Sequence, residues 1–131
     1  MRKLCLPVAA FLLLAGVALA DVSGKWSGTA EVPTPDGPHE IPVTAEFKQQ
    51  DKSVSGTVGQ AGEEQYEIQK GMLDGGKLSF EFVAPEEEEA SGKRLYTMRL
   101  NVISDTQIQG EFDFVTNGAK VTGKVMFARA K

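Results

Sequence analysis

From residue 24 onward apolar and polar residues alternate along the chain, and turn-forming residues interrupt the alternation at short intervals. Period-two patterning with regular punctuation is the signature of an all-β domain, and no segment of useful length keeps a helical period. The pattern predicts strands over residues 25–32, 41–49, 53–58, 65–73, 77–84, 94–103, 107–115 and 120–130, eight in all. One parity of each strand is dry. It runs through Trp26, Gly28, Ala30 and Val32, then Ile41, Val43, Ala45 and Phe47, then Val54, Gly56 and Val58. It continues through Tyr66, Ile68 and Leu73, then Leu78, Phe80, Phe82 and Ala84, then Tyr96, Met98, Leu100 and Val102. It ends with Ile108, Gly110, Phe112 and Phe114, and with Val121, Gly123, Val125 and Phe127. The other parity carries residues such as Lys25, Glu46, Lys48, Glu81, Arg99, Glu111 and Lys124. One wet and one dry face is the habit of antiparallel sheets.

The turns fix the register. Asn117-Gly118 fits a two-residue type I′ hairpin, which needs positive φ at both positions. Counting outward, Phe114 faces Val121, Phe112 faces Gly123, Gly110 faces Val125 and Ile108 faces Phe127. Large residues thus oppose glycines at the two central rungs, which gives the strands room to bend. Gly75-Gly76 pairs Leu73 with Leu78 in the same way. Ile68 and Leu73 differ by an odd number, so they share a face only if a bulge lies between them, near Gly71.

Eight short strands joined in sequence predict a single antiparallel up-and-down β-barrel, which removes exposed edges by closure; a two-sheet β-sandwich is the alternative. In such a meander the loops alternate between the ends. Gln50-Asp51, Gly75-Gly76 and residues 104–106 form a tight end, while residues 33–40, 59–64 and 85–93, with Asn117-Gly118, form an open end with three long loops. An open mouth suits a ligand site. Its lining candidates are Val32, Ile41, Val43, Val58, Tyr66, Phe82, Tyr96 and Phe114, the tyrosine hydroxyls serving as polar handles. The competing expectation is a solid core, because eight-stranded barrels are narrow enough for side chains to fill them.

Trp26, the one tryptophan, opens the first strand at the tight end, and the last strand finishes there with Arg129 on inward parity. A guanidinium against the indole face at the barrel floor is expected, a structural contact rather than a ligand site. Gly24-Lys25-Trp26 with a terminal-strand arginine resembles the calycin pattern of lipocalins and avidins. The chain also resembles exported bacterial proteins of unassigned role that begin D-V-x-G-x-W and repeat G-x-L-x-G-x-[VF] strands, here "VSGTVG", "IQGEF" and "VTGKV". These resemblances imply a barrel that binds small apolar or amphipathic molecules. Avidins line their biotin site with several tryptophans; one tryptophan does not carry that ligand over.

The N-terminus changes the setting. Arg2 and Lys3, an apolar run and Ala18-Leu19-Ala20 read as a cleaved signal peptide over residues 1–20, leaving a barrel domain over 21–131 that is exported to the periplasm or beyond. Cys5 precedes the apolar run, so it is discarded with the leader and the domain has no disulfide. Loss of Arg2 and Lys3 from fourteen basic residues leaves twelve against eighteen acidic ones, a net charge of −6. That charge argues against nucleic acid and against anionic membrane surfaces as partners. His39, the one histidine, reads as a solvated loop residue, and the four glutamates at 86–89 as a solvated charge run; no metal or other cofactor is expected. No nucleophile has a base at motif spacing, so the expectation is a binding protein and not an enzyme. The alternative function is a cavity-free secreted module that acts on, or inhibits, another protein through its acidic loops.

Overall fold

The computed structural model describes residues 21–86, 89 and 91–130. The expected leader, with Cys5, and Glu87 and Glu88 of the glutamate run lie outside the described residues. The strands are β1 (Gly24–Thr34), β2 (Gly37–Gln50), β3 (Ser53–Gln60), β4 (Tyr66–Glu67), β5 (Gln69–Asp74), β6 (Lys77–Pro85), β7 (Lys93–Ser104), β8 (Gln107–Thr116) and β9 (Ala119–Arg129). Each long strand pairs antiparallel with its sequence neighbour, and β1 pairs with β9 from Trp26↔Arg129 to Glu31↔Lys124. The sheet therefore closes into an eight-stranded barrel, and the sandwich alternative does not hold. The two-residue β4 is an extra strand beside it, paired with β3 at Thr57↔Glu67 and Val58↔Tyr66.

The β8–β9 register is the one that the Asn117-Gly118 turn dictates, with Phe112 opposite Gly123 and Gly110 opposite Val125. Asn117 and Gly118 both take positive φ, 53° and 78°. A Cβ on Gly123 would lie 2.5 Å from Phe112 Cζ, so only glycine leaves room for that ring. The expected bulge is present as well. The β5–β6 register shifts between Gln69 and Met72, and Lys70 sits at φ 55°. The extra residue restores the parity, so Ile68 and Leu73 are both buried.

Two expectations need correction. Residues 33–40 are not a long loop: the β1–β2 ladder runs on to Thr34↔Gly37 and leaves only Pro35 and Asp36 between the strands. Prolines are tolerated there because β9 covers β1 only as far as Glu31, and β3 meets β2 only from Val43 onward. Residues 32–42 thus form a two-stranded ribbon that extends past the barrel, where a missing N–H breaks no ladder on the free side. Glu86 and Glu89 of the glutamate run are not simply solvated: both pair with Arg94.

The lower half of the barrel is solid. Leu78, Phe80, Leu100, Ile108 and Phe127 are fully buried, and Phe47 meets Phe80 and Phe127 edge to face at 5.6 and 6.4 Å. Each such side chain contributes roughly 1.5–3 kcal/mol by leaving water. Below them lies the floor. Trp26 is 1% exposed and donates its indole N–H to the Val22 carbonyl at 2.9 Å. Val22, outside every predicted strand, is fully buried under the barrel. The Arg129 guanidinium lies 4.4 Å from the indole ring centroid and donates to the carbonyls of Asp105, Ser23 and Asp21 at 2.6, 2.6 and 3.0 Å.

Candidate functional site

A cavity of about 330 Å³ opens at the end opposite Trp26. Its size is that of roughly eleven liquid water molecules at ~30 Å³ each, at the lower limit for small-molecule pockets. All eight residues expected at the mouth line it: Val32 from β1, Ile41 and Val43 from β2, Val58 from β3, Tyr66 from β4, Phe82 from β6, Tyr96 from β7 and Phe114 from β8. The inward parity of the strands brings them together, and Ala30, Val125 and Phe127 close the cavity below.

One wall is aromatic. Phe82 and Tyr96 stack with centroids 4.8 Å apart and planes 8° from parallel, and Tyr96 leans on Phe114 at 5.3 Å. Phe114 in turn stacks on Phe112 at 6.3 Å. Offset and tilted ring contacts of this kind add to the stabilisation from burial alone. They hold the wall in one shape.

Among the described residues the lining also holds Glu86, expected only as part of a solvated charge run, and Arg94, which the sequence reading did not single out. Arg94 shares the inward parity of Tyr96, Met98 and Leu100, so the argument that placed Arg129 inside applies equally to it. Its guanidinium lies 4.8 Å from the Phe114 ring centroid. Nη1 pairs with Glu86 Oε2 at 3.1 Å, while Nε and Nη2 both reach Glu89 Oε2, at 3.2 and 3.1 Å. Nη2 also donates to Thr116 Oγ1 at 3.2 Å. The Arg94 side chain is 11% exposed and its two partners 28% and 24%, so Glu86 and Glu89 are half-buried ion-pair partners rather than freely solvated charges. Burial works against the Arg94 charge. The neighbouring Tyr96 hydroxyl and the Glu89 and Glu86 carboxylates outweigh it and hold the pKa above the usual arginine value. The loop carrying the glutamates is tied to itself by backbone bonds from Glu86 N to Gly92 O and from Gly92 N to Glu89 O, both 2.9 Å.

The remaining candidates lie elsewhere. His39 is exposed on the β1–β2 ribbon. A second hollow, of about 1090 Å³, lies on the outside of the barrel and is lined by outward-facing residues such as Thr29, Ser79, Asn101, Glu111 and Lys124. Nearby, Arg99 pairs with Asp113 at 2.7 Å, and Thr122 donates to the same carboxylate. The Thr122 hydrogen bond, aided by Arg99, lowers the Asp113 pKa. This is the wet face of the sheet, where charges pair across strands. Neither a protein-family model nor a curated protein matches this chain.

Proposed function

We propose that this chain is an exported calycin-like binding protein that takes a small apolar or amphipathic molecule into the cavity at the open end of its barrel. The observation that carries this reading is the convergence of Val32, Ile41, Val43, Val58, Tyr66, Phe82, Tyr96 and Phe114 on one cavity, at the end of the barrel opposite the buried Trp26. Apolar space left unfilled costs stability, so a cavity at the mouth supports a role beyond packing. The floor supports the calycin likeness: Trp26 and Arg129 form the contact that the family pattern implies. Export rests on the leader-like residues 1–20. The reading includes no catalytic step, metal or cofactor, and no nucleic-acid or membrane partner for the mature domain.

Native mass spectrometry of protein purified from its own host tests the proposal. The expected result is an added mass that is lost on unfolding and absent from a Val43→Trp variant, whose indole would occupy the cavity. A wild-type protein that carries nothing and takes up no apolar probe would overturn it.

One observation favours the second reading, a module that acts on another protein. The ribbon over residues 32–42 extends beyond the barrel as a stiff, proline-bearing hairpin with His39 and Glu40 exposed. A photo-crosslinker placed at residue 39 in the native host would trap one defined protein if the ribbon is a docking element.

A further inference from the structure

We propose that the cavity selects a cationic amphiphile, with the apolar tail inside the barrel and a protonated amine at the rim beside Glu86 and Glu89. The inference rests on the binding reading above and adds the charge of the headgroup.

The mouth has a cation, Arg94, but it is already spoken for. Its three nitrogens engage two carboxylates and a hydroxyl, and one face covers Phe114. An anionic headgroup would have to displace a glutamate from Arg94 and then sit beside the other carboxylate. Like charges in a partly dehydrated mouth repel strongly. A cationic headgroup meets the opposite situation. Arg94 engages only Oε2 of Glu86 and only Oε2 of Glu89. Two carboxylates around one guanidinium leave a surplus negative charge, and among the described residues no donor occupies the second oxygen of either.

Two further features point the same way. The aromatic wall of Phe82, Tyr96 and Phe114 beneath the rim gives an apolar tail a seat directly below the carboxylates. The chain is also polarised from end to end. The described residues of the segments at the open end, 33–42, 59–66, 85–86, 89, 91–94 and 116–120, carry Asp36, Glu40, Glu63, Glu64, Glu86 and Glu89 against Lys93, Arg94 and Lys120. The segments at the tight end, residues 21–25, 48–54, 72–78, 103–107 and 128–130, carry Asp21, Asp51, Asp74 and Asp105 against Lys25, Lys48, Lys52, Lys77 and Arg129. The negative charge of the domain is thus concentrated around the cavity, where it draws cations toward the opening.

Calorimetric titration with decylamine, decanol and decanoate, each below its micelle concentration, separates headgroup from tail. The expected order is amine tightest, alcohol between and carboxylate weakest, with the amine favoured over the carboxylate by about tenfold at low salt. Raising salt to about 0.5 M should narrow that ratio, because part of it is long-range attraction. The Glu86→Gln, Glu89→Gln double variant, checked for an intact fold by circular dichroism, should lose the amine preference and keep the affinity for decanol. Decanoate binding as tightly as decylamine would overturn the headgroup inference and leave the cavity reading in place. Failure of all three to bind would overturn the cavity reading itself. Binding that survives in Val43→Trp would place the ligand outside the barrel and overturn both.

Discussion

Each end of this barrel sets an arginine over an aromatic ring, and the two arrangements differ in what holds the arginine. At the floor, Arg129 lies on Trp26 and donates to three backbone carbonyls. At the mouth, Arg94 lies on Phe114 and is held by two carboxylates and a hydroxyl. A backbone carbonyl is fixed by the chain, carries no charge and does not titrate. A carboxylate swings on a flexible stem and can exchange one cation for another. The floor is held by fixed backbone partners, whereas the mouth is held by side chains that can move on their stems. The packing beneath agrees: Phe47, Phe80 and Phe127 fill the lower half, and the upper half keeps a void.

The comparison breaks most sharply at the floor. Trp26→Ala should cost about 3–5 kcal/mol, the usual range for loss of a buried large aromatic, against a total near 5–15 kcal/mol for a domain. Urea unfolding would show it, and near-wild-type stability would mean that the floor does not hold the barrel shut. The arginines come next. Arg129→Ala should cost ~1–2 kcal/mol through lost cation–π contact and stem packing. Arg94→Ala should cost less, ~0.5–1 kcal/mol, because its partners return to water. Equal losses in the same urea series would erase the distinction between fixed and exchangeable partners. At Ile41, half-buried on the ribbon and already facing the void, Ile41→Ala should change stability by no more than ~0.5 kcal/mol.

The smallest effect is an acid one. The Ser23 backbone and hydroxyl, helped by Arg129, lower the Asp21 pKa. A carboxyl depressed in the folded state contributes stability above its unfolded pKa, about 3.9, and loses it as pH falls through the lower folded value. Asp21→Asn should therefore narrow, slightly, the gap between the unfolding midpoints measured at neutral and strongly acidic pH.

Much of this architecture is legible in the residues, and the exceptions have physical causes. Alternation locates the strands because each has one wet and one dry face. Asn117-Gly118 fixes a register because few residues tolerate positive φ in succession. The odd spacing of Ile68 and Leu73 exposes the bulge because strand parity has no other remedy. The prolines at 33, 35 and 38 mislead, since proline excludes a central strand but not a ribbon with one free side. Val22 escapes notice because it belongs to no strand; its burial comes from the chain folding back beneath the barrel to meet the Trp26 indole. The pairing of Glu86 and Glu89 with Arg94 depends on how the loop after β6 closes, which strand periodicity does not encode. Arg94 itself was within reach, on the same parity as the residues predicted to line the mouth.

The seam between β1 and β9 joins the beginning of the domain to its end. Arg129 reaches Ser23 and Asp21 across separations of 106 and 108 residues. Contacts that span a whole chain are the slowest to form, because nearly the full length must be ordered before they contribute. A chain that stops after β8 has every hairpin except the last, yet it has two bare edges and no arginine beneath its tryptophan. A chain in which that seam has not formed presents strand edges open to its neighbours.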